Sequence, residues 1–199
     1  GQPVYAIETV HRAPASVGKT KTFTPASGER EFVRAQLLRN VESAFIKLRR
    51  HGLSAKCIGI YLTTDEFRTA GVSAELSRPT SSTLQAAQAV SELFARAFDP
   101  SRRYRRTGVV LSDLAPESGA QADLFDDTVQ VARARGVSAV VDEVNRLFGK
   151  HTLHLAATDC LRGFAQHVGE RGDHASRKRE LLKGENFRQR VSVPVWNVR

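Results

Sequence analysis

The sequence predicts an α+β domain over residues 15–115, followed by a flexible C-terminal extension with one short helix. Two segments carry apolar residues at helical spacing, and the segments around them alternate apolar and polar residues as strands do. The link between the second and third strands is too short for a crossover, so these strands should be antiparallel. The predicted order is β-α-β-β-α-β, with both helices on one face of a four-stranded antiparallel sheet.

The first half of the domain is predicted to form a strand and a long helix. Residues 17–23 are rich in threonine and β-branched residues, which favour a strand, and Thr24, Pro25 and Gly28 should end it. A helix is expected from Glu29 to His51. Its apolar stripe consists of Val33, Leu37, Val41, Ala44, Phe45 and Leu48.

The second half is predicted to contain a hairpin, a helix and a last strand. Residues 55–67 and 68–77 alternate as two strands, and residues 104–114 form the fourth. The helix between them follows a Thr/Ser cap at residues 80–82 and stops at Asp99. Its expected apolar stripe consists of Leu84, Ala87, Val90, Phe94 and Ala97.

The remaining segments are predicted from composition. Residues 1–14 are expected to be a linker, and residues 116–135 a flexible polar connector. Residues 136–157 should form a small element, with a helix over 138–148 and a strand over 152–156. Residues 158–199 are a basic tail.

The charge of the chain and the polarity of the sheet indicate what kind of molecule the domain could bind. The net charge is +9, which is typical of nucleic-acid binding but also of an ordinary solvated basic surface. The uncovered sheet face should carry polar and basic residues, including Thr20, Thr22, Thr69 and Ser73. Such a face suits a nucleic-acid backbone, although an edge-paired or oligomeric sheet would also explain it.

Cysteine usage and hydropathy indicate the compartment. The two cysteines, Cys57 and Cys160, stand far apart and outside any CxxC pair, which favours a reducing, cytoplasmic setting. No apolar run approaches the ~20 residues of a membrane span. His151 and His154 lack the further ligands of a metal site, so no metal is expected.

Four short motifs resemble the little-finger domain of Y-family translesion DNA polymerases. They are SVGKTKTF at residues 16–23, LRRHGLSA at 48–55, DEFRT at 65–69 and YRRTGV at 104–109. Each motif is weak alone, but the four occur in order along the predicted β-α-β-β-α-β pattern. Residues 140–149, VVDEVNRLFG, are similar to the C-terminal segment of UmuC-type members.

The resemblance implies template-primer DNA as a partner and places its contacts on phosphates. The residues expected to make them are Lys19, Lys21, Thr22, Arg68, Thr69, Arg105 and Arg106. Phosphate contacts position a protein without reading sequence, which suits a polymerase that works on any template.

The resemblance also implies binding to the replication sliding clamp. The QADLF stretch at residues 121–125 is similar to the clamp-binding pentapeptide Q-L-S/D-L-F, and departs from it at Ala122. Leu124 and Phe125 would fill an apolar cleft, with Gln121 and Asp123 at its rim. Packing of Leu124 and Phe125 back onto the domain is the alternative.

The catalytic parts of such a polymerase are not expected in this sequence. In the family, a palm with carboxylates that bind two Mg²⁺ precedes the little finger, and the chain is expected to begin in the linker after the thumb. The predicted function is therefore DNA binding and tethering to the sliding clamp in SOS-type translesion synthesis and repair. No catalytic residues and no cofactor are expected in this sequence. Accessory or recombinase proteins are candidate partners of the tail.

Two other functions stay open at this point. One is a free-standing regulatory protein that binds the clamp or a polymerase partner. The other is an RNA-binding ferredoxin-like domain, which should carry aromatic residues on its central strands. The central strands offer only Tyr61 and the hairpin residue Phe67 for base stacking, which argues against an RNA-binding domain.

Overall fold

The computed structural model describes residues 13–117, 128–149 and 151–161. The secondary structure elements follow one another in this order: β1 Val17–Ser27, α1 Arg30–Arg50, β2 Leu53–Thr64, β3 Thr69–Thr80, α2 Thr83–Ala97, β4 Tyr104–Pro116, α3 Thr128–Phe148, and a 3₁₀ helix, Ala156–Leu161. In this part of the chain, no helix combines the length and apolar character needed to cross a bilayer.

The four strands form one sheet in the order β1-β4-β2-β3. Each strand is antiparallel to its neighbours. The predicted α+β class, element order and antiparallel pairing are confirmed. Strands β2 and β4 are central, whereas β1 and β3 are the edges.

Both α1 and α2 cover the same face of the sheet, with α1 over β1 and β4 and α2 over β3. The side chains of β2 and β4 on this face are almost fully buried, namely Ile58, Ile60, Leu62, Thr107, Val109 and Leu111. The whole predicted stripe of α1 is buried as well, which confirms it. Asn40 of α1 donates from Nδ2 to the carbonyl oxygen and the hydroxyl of Thr107, each at 2.9 Å, and so links α1 to β4.

The predicted stripe of α2 is wrong in part. Leu84 is 58% exposed, whereas the buried residues of this helix are Ala86, Val90, Leu93 and Phe94. These four positions follow one another at helical spacing, and they define the face that meets β3 and β2. Leu84 lies outside that face and lines a groove of about 230 Å³ between α1, α2 and α3.

Strand β1 does not stop where the sequence predicted. It continues past Pro25 to Ser27, and its register with β4 shifts between Thr22 and Ser27. The Thr24–Pro25 peptide bond is cis. A proline has no N–H to donate to the ladder, but β1 is an edge strand with one neighbour, which tolerates this loss.

Helix α3 begins at Thr128, ten residues before its predicted start, so the predicted connector is wrong from that residue on. Its middle is held by Arg49 of α1, which makes a bidentate pair with Asp142 at 2.6 and 2.7 Å. The same guanidinium donates to the carbonyl oxygen of Ser81 at 2.8 Å, just before α2. Arg49 therefore links three helices, a tertiary contact that local sequence patterns do not reveal.

The strand predicted over residues 152–156 is wrong. The segment is a turn that leads into the 3₁₀ helix, and side chains satisfy its backbone groups. Asn145 bonds both the N–H and the carbonyl oxygen of Leu153, and Glu42 accepts from the Leu155 N–H at 2.5 Å. Because side chains supply these hydrogen bonds, the backbone of the segment does not require a neighbouring strand.

Candidate nucleic-acid interface

The sheet face opposite α1 and α2, called the open face below, carries rows of side chains that the strand register sets side by side. Residues paired across antiparallel strands point to the same face. The row nearest the β2–β3 turn, called the hairpin row, runs across all four strands and consists of Thr22, Arg106, Thr63 and Thr69. Every member of this row can donate a hydrogen bond.

The hairpin row is connected by its own hydrogen bonds. Arg106 Nε donates to Thr22 Oγ1 at 3.3 Å, and the hydroxyls of Thr63 and Thr69 lie 3.0 Å apart. These contacts hold one guanidinium and three hydroxyls in line over the sheet. Thr63 is buried, so the arrangement presents the donors of Thr22, Arg106 and Thr69 to an anionic ligand that crosses the strands.

Further basic residues adjoin this row at the turn. Arg68 is exposed and lies 3.4 Å from Glu66 in an ion pair. The Arg105 guanidinium lies over the ring of Phe67, 4.3 Å from its centroid. The N–H of Asp65 donates to the carbonyl oxygen of Arg103 at 3.1 Å, which joins the turn to the start of β4. Two separate segments thus bring their arginines to one end of the sheet.

Few long side chains project from the middle of the open face. Its two rows are Thr20–Gly108–Tyr61–Gly71 and Gly18–Val110–Gly59–Ser73. The Tyr61 ring lies across Gly108 and its hydroxyl hydrogen-bonds Thr20. A Cβ at position 108 would lie 2.2–2.5 Å from the ring, so glycine is required for this placement. Because few side chains project here, another backbone can approach the middle of the open face closely.

The far end of the open face carries a paired carboxylate. Glu75 lies opposite Cys57 and pairs with Lys56 at 2.7 Å. The hydrogen bond from Lys56 and its charge lower the pKa of Glu75, so the carboxylate stays ionised at neutral pH. The charge of the face therefore changes along the strands, from basic at the turn to mixed at Glu75.

A family model matches this domain. The model described as the impB/mucB/samB family C-terminal domain matches residues 14–124. The chain belongs to this family. The match spans the sheet, both of its covering helices and the open face.

Two curated proteins are also similar to this chain. DNA polymerase IV of Acetivibrio thermocellus is 28% identical over 139 residues, which are 69% of this chain and 35% of that protein. Protein UmuC of Salmonella typhimurium is 25% identical over 164 residues, which are 78% of this chain and 38% of that protein. The chain thus spans little more than a third of the curated relatives it matches.

Solved structures are similar to this chain at lower identity. An insertion ternary complex of Dbh DNA polymerase has a TM-score of 0.44 and 16% identity, covering 49% of this chain and 28% of that one. A complex of the β-clamp processivity factor and the little finger domain of PolIV has a TM-score of 0.41 and 17% identity. The match covers 56% of this chain and 99% of that one.

The structure brings five of the seven predicted DNA-contact residues of this family domain to one place. Thr22, Thr69 and Arg106 belong to the hairpin row, and Arg68 and Arg105 adjoin it. Thr63, which is buried, completes the row but is missing from the prediction, because its place in the row depends on strand register. The alternation of side chains along β2 indicates which face of the sheet Thr63 occupies, but not its neighbours in the adjoining strands.

Lys19 and Lys21, the other two predicted DNA-contact residues, lie on the side of the sheet opposite the hairpin row. Their partners in β4 are Val109 and Thr107, which face the helices. They alternate with the buried Val17 and therefore share its face. A contact of these lysines with DNA stays a prediction.

The predicted clamp-binding residues Gln121, Asp123, Leu124 and Phe125 lie outside the described residues. So do residues 1–12 of the predicted linker and the predicted basic tail from residue 162 on. Within residues 13–117, 128–149 and 151–161, no group of three or more His, Cys, Asp and Glu side chains could hold a metal ion.

Proposed function

We propose that the chain is the DNA-binding little-finger and clamp-tethering region of a longer, error-prone Y-family polymerase. Its role would be translesion synthesis and DNA repair in an SOS-type damage response. Membership of the impB/mucB/samB family supports this, as does similarity to a DNA polymerase IV and to a UmuC protein. The observation that carries the proposal is the hairpin row with Arg68 and Arg105 beside it.

The hairpin row would hold one strand of the template-primer by its phosphates. It extends over three inter-strand steps, which correspond to about 14 Å across the sheet. Hydroxyls and guanidinium groups are common donors to phosphate oxygens, and such contacts fix register without reading bases. A grip of this kind would hold a damaged template as well as an intact one.

The rest of the open face would orient the duplex toward the turn. The glycines beside Tyr61 and Val110 leave room for a backbone to approach, whereas at the far end the charges of Glu75 and Lys56 offset each other and offer no net attraction to phosphates. We therefore expect the phosphates to cross the strands near the β2–β3 turn rather than follow the strands along the sheet.

Clamp tethering would come from the QADLF stretch at residues 121–125. Leu124 and Phe125 would insert into an apolar cleft of the sliding clamp, with Gln121 and Asp123 at the rim. A short peptide binds weakly because ordering it costs entropy. Clamp and DNA contacts on one chain strengthen each other through effective concentration.

Nucleotide transfer would take place elsewhere in the longer protein. This chain would contribute binding alone, and the Mg²⁺ ions of the reaction would be held by a palm domain. Accessory or recombinase proteins would be partners of the C-terminal tail.

The salt dependence of DNA affinity tests the proposed grip. Fluorescence anisotropy with a primer-template would compare the chain with the triple variant Arg68→Ala/Arg105→Ala/Arg106→Ala. Each lost phosphate contact should reduce the slope of log affinity against log salt by roughly 0.9, so the variant should lose roughly 2–3. The matched control Lys47→Ala/Arg50→Ala/Arg96→Ala removes the same charge from exposed positions on α1 and α2.

The control should keep most of the slope, because its residues lie on the helix side of the sheet. Equal losses in the two variants would mean that net charge alone drives binding, which would contradict the proposed interface. Calorimetry on a bacterial sliding clamp tests the tether in the same way. Binding that is lost in Leu124→Ala/Phe125→Ala would support it, and no binding by the unmutated chain would refute it.

A further inference from the structure

Phe67 is an aromatic side chain displayed at the tip of the β2–β3 turn. It is 69% exposed, and its backbone has a φ of 66°. Bulky residues rarely adopt a positive φ, and such outliers cluster at functional sites. Two unfavourable features, an exposed ring and a left-handed backbone, coincide at this residue.

The backbone around Phe67 is held rather than loose. The N–H of Phe67 donates to the carbonyl oxygen of Thr64 at 3.0 Å, and the N–H of Thr64 donates to that of Arg68 at 2.8 Å. The Arg68 N–H also donates to the Thr64 hydroxyl at 3.2 Å. The turn therefore presents the ring in a fixed position beside the hairpin row.

One planar group already stacks on this ring. The Arg105 guanidinium lies 4.3 Å from the ring centroid, which is a close cation–π contact. Because Phe67 remains mostly exposed with Arg105 in place, ring surface is left for a second planar group. Arginine and aromatic faces together are the surfaces on which proteins stack bases of single-stranded nucleic acid.

The neighbourhood indicates which planar group would bind. The adjoining donors, Arg68 and Arg106, suit the phosphates on either side of a base. A base inside a duplex is stacked on its neighbours and cannot offer its face to the ring, whereas an unpaired base can.

We propose that Phe67 and Arg105 form a stacking platform for an unpaired base of the single-stranded template, next to the duplex held by the hairpin row. This inference rests on the proposed function and adds a second kind of ligand to the same end of the sheet. The platform contacts a base face and is therefore tolerant of sequence, as the phosphate contacts are.

The test compares two DNA probes and two matched variants. One probe is a blunt duplex, and the other is the same duplex with a single-stranded template overhang that contains 2-aminopurine. Phe67→Ala should lower the affinity for the overhang probe roughly 5- to 100-fold and leave the affinity for the blunt duplex unchanged. Phe148→Ala is the control, because Phe148 is a similarly exposed phenylalanine, 74% accessible, on α3.

A fluorescence readout separates stacking from general weakening of binding. At saturating protein, the 2-aminopurine signal should be quenched by the unmutated chain and by Phe67→Tyr, but not by Phe67→Ala. If Phe67→Ala binds and quenches the overhang as well as the unmutated chain does, the platform is refuted while the proposed DNA grip stands. If the unmutated chain binds neither probe, the proposed function and the platform are both refuted.

Discussion

Asn40 is a buried amide that fixes the position of α1 on β4. Its Nδ2 reaches both the carbonyl oxygen and the hydroxyl of Thr107, and Thr107 is fully buried on the helix face of the sheet. A buried hydroxyl that loses its partner costs about 1–3 kcal/mol. This pair therefore sets the register between a helix and the strand that also carries Arg106 on the opposite face.

We predict that Asn40→Leu lowers the free energy of unfolding by about 2 kcal/mol, because Thr107 is left without its partner. Asn40→Leu/Thr107→Val should be less destabilised than the sum of the two single variants, since no orphaned hydroxyl remains. Urea denaturation of the unmutated chain, the two single variants and the double variant measures the coupling free energy between the two side chains. Additive single effects would mean that the two side chains do not depend on each other.

Phe67 allows the cost of its backbone conformation to be measured. A left-handed φ costs a residue with a Cβ about 1–2 kcal/mol, and glycine avoids that cost while losing some 0.5–1 kcal/mol of chain entropy. Phe67→Gly should therefore be more stable than Phe67→Ala by roughly 1 kcal/mol, although both lose the stack with Arg105. Chemical denaturation compares the two variants. Equal stabilities would show that the turn relaxes when the ring is removed.

At the scale of elements, polar contacts attach α3 to the domain over residues 132–148, whose side chains the structure describes. Val137, Val140, Leu147 and Phe148 of this helix are exposed. The Arg49–Asp142 pair is mostly shielded from solvent, and Arg135 adds a pair with Glu117 at 3.2 Å. Loss of a partly buried pair should therefore release α3 without unfolding the sheet.

We predict that Asp142→Asn speeds amide hydrogen exchange within residues 128–149 roughly 30-fold, which corresponds to about 2 kcal/mol of lost docking energy. Exchange in β2 and β4 should not change. Glu143→Gln is the matched control, because the neighbouring Glu143 pairs with Arg146 inside the same helix. A uniform acceleration over the sheet and α3 would mean that both unfold as one unit.

At the scale of the whole molecule, the sequence allows the fold class and the helix that forms most of the core to be predicted. The α1 stripe runs from Val33 to Leu48 and is buried throughout, so periodicity alone identifies it. The early start of α3 escapes prediction, and the contact that joins this part of the helix to the domain is between Arg135 and Glu117, which lie far apart in the sequence. The strand order escapes it as well, since alternation does not say which strands are neighbours.

The candidate interface shows the same division between local and long-range information. Arg68, Arg105 and Arg106 can be selected from the motifs around them, and the fold brings them together. The faces of Lys19 and Lys21 follow from alternation with Val17, which is buried, but only once β1 is known to be covered by α1. Thr63 joins the hairpin row through register, which local patterns do not encode.

The central claim is that DNA binds the open face at the hairpin row, and cysteine footprinting tests it most directly. Thr69→Cys and Ala95→Cys would each be placed in a Cys57→Ser/Cys160→Ser background. Both positions are exposed, Thr69 on the open face and Ala95 on α2 over the other face. A primer-template at saturation should slow maleimide modification of Thr69→Cys and leave Ala95→Cys unaffected. Protection of Ala95→Cys with Thr69→Cys left reactive would contradict the account and place the DNA on the helices.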